Sequence, residues 1–125
     1  MDRDAILAVV SDGNGGGAFQ VKVGDSAVKI LREGVGPRTV LTIPYEAHEL
    51  FFEAEHPASG KKVEDWFDYY GETEEADFRD DLRRFVFALR ECDLRIDERG
   101  KTVEYFHQDR WQYFFGRFSA PGDSP

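Results

Sequence analysis

The stretch ADFRDDLRRFVFALREC, residues 76–92, carries the clearest helical pattern in the chain. Its apolar residues recur at intervals of three and four positions, which places them on one face of an α-helix. The residues of this apolar face are Phe78, Leu82, Phe85, Val86 and Leu89. The charged residues of the opposite face are Asp77, Asp80, Asp81 and Arg84. We therefore predict a main helix at about residues 76–92, with its apolar face turned toward the core.

Residues near the two ends of this segment suit a helix. Thr73 can cap the N-terminus, and Glu74 and Glu75 lie where the helix dipole favours negative charge. Arg90 lies near the C-terminus, where the dipole favours positive charge. These flanking residues support the predicted position of the helix.

The charged face of the predicted helix has two further features. Asp80 and Arg84 have the i, i+4 spacing of an ion pair, which stabilises a helix by roughly 0.3–0.5 kcal/mol. Phe87 interrupts the charged face. We expect either that a second layer of structure covers Phe87 or that it contacts a partner.

Four segments ahead of the helix have the short apolar or alternating patterns of strands. They are residues 5–11, 19–23, 28–31 and 39–43. The run DGNGGG, residues 12–17, lacks the Lys-Ser/Thr that follows the glycines of a phosphate-binding loop, so it favours a turn. We therefore predict an N-terminal four-strand antiparallel meander.

Residues 44–71 fit either a hairpin or helices. As a strand, residues 49–55 would alternate their side chains, and HPASG, residues 56–60, would form a hairpin loop. Residues 62–70 instead space Val63, Trp66, Phe67 and Tyr70 as a helix would. The pattern slightly favours a strand for 49–55 and a short helix for 62–70, in which Glu64, Asp65, Asp68 and Tyr69 would be exposed.

The residues after the main helix predict three further strands, the last of them rich in aromatic residues. They are residues 94–97, 102–107 and 111–118. The small polar residues of 119–125 predict a disordered tail. The whole pattern predicts a single α+β domain, residues 1–118, in which the meander and the C-terminal aromatic strands form an antiparallel sheet against the main helix.

The composition indicates a folded protein of the cytoplasm. A chain of 125 residues that includes eleven Phe, five Tyr and two Trp is long and apolar enough to bury one core. No apolar run approaches the roughly 18 residues that cross a bilayer, and we identify no signal peptide, so we expect no membrane partner. Cys92 has no second cysteine to pair with, which fits a reducing compartment and a thiol at the core or its boundary.

The net charge of −9 is concentrated in the middle of the chain. Residues 44–81 contain thirteen acids and three bases, whereas the other residues together contain twelve acids and thirteen bases. A region of one sign attracts basic partners and repels nucleic acid. We therefore expect no nucleic-acid partner, although a solvated acidic surface that keeps the protein soluble explains the same charge.

Sequence motifs of catalysis and metal binding are incomplete. His48-Glu49 begins a zinc-binding H-E-x-x-H motif, but Phe52 stands where the second histidine is needed. The pairs Glu53/His56 and Glu104/His107 have the spacing of di-iron helix bundles, but the second pair lies in a predicted strand that points the two side chains to opposite faces. No nucleophile elbow occurs, so we expect neither an enzyme nor a cofactor.

The acidic region also interleaves aromatic residues with its acids, as in DWFDYYGETEEADF, residues 65–78. Protein interfaces are anchored by residues such as Trp and Tyr inside a charged rim. We therefore predict a partner-binding site on the acidic approach to the main helix and on the outer edge of that helix. Its candidate residues are Glu64, Asp65, Asp68, Tyr69, Glu72, Glu74, Glu75, Asp77, Asp80, Asp81 and Phe87.

In size, charge and the character of residues 65–78, the chain resembles the small acidic α+β immunity proteins of bacterial polymorphic toxin systems. The resemblance implies a protein-binding inhibitor that neutralises one cognate protein toxin with a basic surface. An alternative is a small-molecule-binding or enzymatic domain in which residues 105–107 and 111–118 line an aromatic pocket. A third and weaker alternative is an acidic mimic of DNA.

Overall fold

The computed structural model describes residues 1–10, 19–34, 36–97, 99 and 102–114. Five antiparallel strands form a sheet in which each strand pairs with the next along the chain. They are β1 (Phe19–Val23), β2 (Ala27–Arg32), β3 (Arg38–Pro44), β4 (Glu49–Glu55) and β5 (Lys62–Asp68). A second antiparallel sheet contains β6 (Leu94–Ile96), β7 (Val103–His107) and β8 (Arg110–Tyr113). With the helices α1 (Arg3–Val10) and α2 (Glu74–Glu91), these sheets confirm the α+β class.

The core lies between one face of the five-stranded sheet and the two helices. The sheet contributes buried side chains from alternating positions, and register places Ile30, Leu41 and Phe52 side by side on β2, β3 and β4. Helix α2 contributes the apolar face predicted for it, which is confirmed: Phe78, Leu82, Phe85, Val86 and Leu89 are all buried.

Phe114 joins the second sheet to this core. It directly follows β8 and is only 1% exposed. Its ring stacks on Phe52 of the large sheet with centroids 4.6 Å apart and lies 5.2 Å from the ring of Phe85 on α2. The aromatic strands predicted at the C-terminus therefore contribute to the same core, but they form a sheet of their own.

The predicted strand at residues 5–11 is wrong, because residues 3–10 form helix α1. Ile6 and Val10 are both buried, and their i, i+4 spacing places them on one helical face. The Oδ1 atom of Asp2 accepts a hydrogen bond from the backbone N–H of Ala5 at 2.8 Å, which satisfies a free donor at the start of the helix. A short apolar run fits a buried strand or a buried helix equally well, and here the N-terminal cap and the spacing favour the helix.

The predicted helix at residues 62–70 is also wrong, whereas the predicted strand at 49–55 is confirmed. Strand β5 pairs with β4 over its full length, so the meander contains five strands that begin at β1. The apolar residues that suggested a helix lie on different sides: Val63 is buried, whereas Trp66 and Tyr70 are exposed. Tyr69, predicted to be exposed, is buried at 4%.

The two ends of α2 are stabilised in different ways. Thr73 occupies the N-cap position, but its hydroxyl donates to Oδ2 of Asp77 at 2.9 Å and caps no backbone group. At the C-terminus, Nη1 of Arg32 on β2 donates to the carbonyl oxygens of Leu89 and Cys92 at 2.8 and 2.7 Å. This contact satisfies carbonyls that the helix leaves unpaired and joins α2 to the sheet. Burial raises the pKa of the Cys92 thiol, and the nearby Arg32 charge lowers it by a smaller amount.

Neither described helix is long and apolar enough to cross a bilayer.

Phe87 is partly buried beside the core, and its ring meets the ring of His107 edge-on at 5.0 Å. The second sheet therefore supplies the covering layer that was one of the two expectations for Phe87. The predicted turn at 12–17, the last part of the predicted aromatic strand and the predicted tail at 119–125 lie outside the described residues.

Candidate functional site

The five-stranded sheet has an outer face, which is the face opposite the core. Strand register places Lys22, Lys29, Thr42, Phe51 and Trp66 in one row across all five strands of this face. Because side chains alternate along a strand, the residues two positions before and after each member lie on the same face. The row therefore defines which charged and aromatic side chains are neighbours there.

Phe51 and Trp66 form an exposed aromatic pair within this row. Their rings stack with centroids 6.2 Å apart and an interplanar angle of 23°. Phe51 is 41% exposed and Trp66 is 53% exposed. An open groove of about 560 Å³ adjoins the pair and is lined in part by Lys29, Val40 and Thr42. Apolar rings held open to solvent next to a groove are typical of a contact surface.

Two pairs of acidic residues lie on either side of the aromatic pair. Glu49 is opposite Asp68, and Glu53 is opposite Glu64, on the paired strands β4 and β5. Like charges directly opposite each other in a sheet are destabilising. Lys62 approaches Glu53 at 3.6 Å, but Glu49, Glu64 and Asp68 form no ion pair with a described residue.

We call these six residues the acidic-aromatic surface: Glu49, Phe51, Glu53, Glu64, Trp66 and Asp68. Tyr70 and Glu72 follow β5 in the chain; Tyr70 is 81% exposed, and Glu72 is also exposed. The acidic pairs oppose folding, yet they concentrate negative charge around two exposed rings. The surface is thus suited to a cationic, partly apolar contact.

The structure divides the predicted site residues among four environments. Only Glu64 and Asp68 belong to the acidic-aromatic surface, while Asp65 is exposed on the other face of β5. The residues at the start and on the outside of α2 that are exposed or partly exposed are Glu72, Glu74, Glu75, Asp77 and Asp80. Tyr69 and Asp81 are buried, and Phe87 is partly buried against the core.

Asp81 is part of a buried polar network instead of a charged outer face, so its predicted position is wrong. The hydroxyl of Tyr69 donates to Oδ2 of Asp81 at 2.6 Å, and Nη2 of Arg84 lies 3.5 Å from its Oδ1. Nη1 of Arg84 also reaches the hydroxyl of Tyr105 at 3.2 Å. The network therefore joins the segment after β5, helix α2 and the second sheet.

The predicted ion pair between Asp80 and Arg84 is accordingly wrong. Arg84 turns toward the buried Asp81 one position closer in sequence, and Asp80 lies 3.9 Å from Arg83 at the surface. An ion pair of a partly buried arginine with a buried carboxylate is more stabilising than one with a solvated carboxylate, because water screens the pair at the surface.

Glu74 is engaged by a second contact between the helix and the sheet. Its Oε2 lies 2.6 Å from Nδ1 of His48, in the connection between β3 and β4. The His48 ring also packs against Phe78 with centroids 5.2 Å apart. Glu74 and His48 thus hold the start of α2 against the sheet, and Glu74 is less available to a partner than its exposed neighbour Glu75.

The predicted site residues did not include Trp66, although it lies in the segment 65–78, and sequence reasoning also missed Glu49, Phe51 and Glu53. Their alternation in ELFFEAE, residues 49–55, is visible in the sequence, but it gains meaning only when 62–68 is recognised as the neighbouring strand. The hairpin loop HPASG was the available signal for that pairing. No group of three or more His, Cys, Asp or Glu among the described residues is arranged to hold a metal ion.

Comparison of the chain with protein-family models, curated proteins and solved structures finds no match. We therefore infer function from the surface itself.

Proposed function

We propose that this protein is a protein-binding inhibitor, an immunity protein that neutralises a cognate bacterial toxin in the cytoplasm. The acidic-aromatic surface makes the contact, and the toxin presents a basic surface to it. The observation that carries this proposal is the exposed Phe51–Trp66 pair between two like-charged cross-strand pairs.

The two parts of the surface have different physical roles in this proposal. Trp66 and Phe51 supply the large apolar contacts that dominate the energy of protein interfaces. The surrounding carboxylates attract a basic partner during diffusion and so accelerate association. A toxin that acts on nucleic acid has a basic cleft for phosphates, and an acidic surface can occupy such a cleft.

Tyr70 and Glu72 extend the proposed contact beyond the sheet. Tyr70 is 81% exposed, directly before the turn into α2. An exposed tyrosine offers both a ring and a hydroxyl to a partner at small conformational cost. The exposed acids near the start of the helix, such as Glu75, complete a negative rim.

A growth assay tests the proposal. The toxin domain encoded by the reading frame directly upstream is expressed in a susceptible bacterium, alone or with this protein. We expect growth arrest by the toxin domain alone and rescue by co-expression. A neighbouring product that does not arrest growth, or an arrest that co-expression leaves unchanged, would contradict the proposal.

Charge variants then test the surface within the same assay. Glu64→Lys/Asp68→Lys reverses two acids of the acidic-aromatic surface and is expected to abolish rescue. Asp25→Lys/Asp93→Lys makes the same change in net charge at exposed positions elsewhere and should rescue normally. Equal rescue by both variants would exclude the acidic-aromatic surface from the contact.

The alternative of a small-molecule-binding or enzymatic domain has less support. Tyr105 and Phe114, from the strands expected to line an aromatic pocket, are 2% and 1% exposed. Their rings pack edge-on with centroids 5.5 Å apart. These aromatic side chains fill the core, so they leave less of the aromatic C-terminal segment to line a pocket.

A further inference from the structure

The outer face of the five-stranded sheet is divided by charge. Lys22 and Lys29 lie opposite each other on β1 and β2, at one side of the face. Both lysines are exposed, and neither forms an ion pair with a described residue. The acids of the acidic-aromatic surface lie on β4 and β5, at the other side.

The centre of strand β3 separates these two halves with uncharged residues. Thr42 lies between Lys29 and Phe51 in the row, and Val40 lies two positions before Thr42 on the same face. Both are partly exposed. Each side of the face therefore contains a repulsive pair of like charges. The centre of β3 is uncharged, and Arg38, on the same face at the start of this strand, pairs with Glu33 at 3.4 Å.

We propose that this face binds the same face of a second copy of the chain, with the two-fold axis parallel to β3. A face that is basic on one side and acidic on the other is complementary to itself under this rotation. The basic side of each copy then faces the acidic side of the other copy. Two-fold symmetric contacts of this kind are the commonest form of protein self-association.

The strand register makes the contact specific. Rotation about an axis along β3 keeps the row in place and reverses its order, so Lys29 lies over Phe51 of the second copy and Lys22 over Trp66 of the second copy. A lysine ammonium above an aromatic ring is an attractive cation–π contact. The acids two positions along β4 and β5 from these rings, Glu53 and Glu64, add charge attraction.

The size of the face predicts a weak and reversible dimer. Five strands spaced about 4.8 Å apart and about six residues long present a face of about 24 by 20 Å. Two copies would bury roughly 1,000 Å² in total, which is at the lower end of specific interfaces. We therefore expect a dissociation constant in the micromolar range that rises with salt.

This inference goes beyond the proposed function, because dimerisation can be measured without any toxin. The two proposals share Phe51 and Trp66 as contact residues. If both hold, toxin binding and self-association exclude each other, and the dimer is a form in which the toxin-binding surface is covered. Failure of the dimer test leaves the growth assay unaffected, and the converse is also true.

Sedimentation velocity of three purified proteins tests the dimer at about 0.5 mM protein and about 50 mM salt. The wild type is expected to sediment as a concentration-dependent dimer. Lys22→Glu/Lys29→Glu makes both halves of the face acidic, and Glu53→Lys/Glu64→Lys makes the acidic half more basic. For each variant alone, the dissociation constant of the dimer is expected to rise by about tenfold or more, because like charges then face each other.

An equimolar mixture of the two variants provides the decisive observation. In the mixed dimer each altered half meets an opposite charge, so the mixture is expected to dimerise although neither variant does so alone. Arg3→Glu/Arg83→Glu and Asp4→Lys/Asp93→Lys match the net charges of the two variants at exposed positions away from this face, and each should dimerise like the wild type. Circular dichroism confirms that all variants are folded.

Three outcomes would overturn the proposal. A wild type that remains monomeric at the highest concentration excludes the dimer. Dimerisation that both face variants retain places the contact elsewhere. A mixture that stays monomeric when the separate variants are monomeric excludes the two-fold arrangement along β3.

Discussion

At the scale of single residues, Asp81 shows how a charged side chain becomes part of the core. It is 4% exposed, and Tyr69 and Arg84 both supply hydrogen-bond donors to its carboxylate. A buried carboxylate is tolerated only when its oxygens have such partners. The helical pattern assigns Asp81 to the charged face, and only the positions of Tyr69 and the second sheet reveal why it is buried.

Removing the Asp81 carboxylate is expected to destabilise the protein. Asp81→Ala leaves the Tyr69 hydroxyl and the Arg84 guanidinium without their shared acceptor, at an expected cost of about 2 kcal/mol in the free energy of unfolding. Asp80→Ala, at an exposed position of the same helix, should change it by less than about 0.5 kcal/mol. Urea unfolding followed by tryptophan fluorescence measures both, and equal losses would contradict the structural role of Asp81.

At the scale of secondary-structure elements, α2 depends on the sheet at both ends. The His48–Glu74 contact holds its start, and Arg32 binds the carbonyls at its end. Both contacts come from residues distant in sequence. The C-terminal contact is the stronger candidate for a stability effect, because one guanidinium satisfies two carbonyl oxygens there.

Arg32→Met is therefore expected to lower the free energy of unfolding by about 1.5 kcal/mol. Methionine keeps much of the apolar stem but cannot donate to the carbonyls of Leu89 and Cys92. Arg38→Met is a matched control on β3, since Arg38 forms only an exposed pair with Glu33 at 3.4 Å among the described residues. Thermal unfolding compares the two variants. A similar melting temperature for both would show that the contact of Arg32 with the end of α2 does not stabilise the protein measurably.

The elements that could be predicted are those with a strong local pattern. Helix α2 contains a long apolar face, so local spacing was sufficient to predict it. Strand β4 was only slightly favoured over a helix, because Phe51 and Phe52 place apolar residues on both of its faces. Helix α1 and strand β5 are short, and their apolar residues fit two periods. The cap by Asp2 decides for a helix in α1, and pairing with β4 decides for a strand in β5. A local sequence pattern cannot show such pairing between segments.

At the scale of the whole molecule, the candidate site is a product of strand register. The acidic middle of the chain and its aromatic character were visible in the sequence, and Glu64 and Asp68 were among the predicted residues. The stack of Phe51 on Trp66 joins two strands that are separated by a hairpin, so it depends on tertiary pairing. Charges that look continuous along the chain are in fact divided between the outer face and the surroundings of α2.

Trp66 is expected to contribute to binding much more than to folding. Trp66→Ala should weaken binding of the upstream-encoded toxin domain at least about 30-fold, the range of an interface hot spot. Because its ring is 53% exposed, the free energy of unfolding should fall by less than about 1 kcal/mol. Phe106→Ala removes a ring that is 40% exposed on the second sheet and should leave toxin binding unchanged. Calorimetry measures the binding, and equal affinities for the two variants would contradict the assignment.

The association rate constant for the same toxin domain tests most directly the claim that the acidic-aromatic surface recognises a basic partner. Glu64→Lys/Asp68→Lys should lower this rate constant about tenfold at low salt, with the difference shrinking as salt screens the charges. Asp25→Lys/Asp93→Lys controls for net charge and should slow association far less. Stopped-flow fluorescence across a salt series gives both rate constants. A rate constant that the Glu64/Asp68 variant leaves at the wild-type value at low salt would contradict the claim.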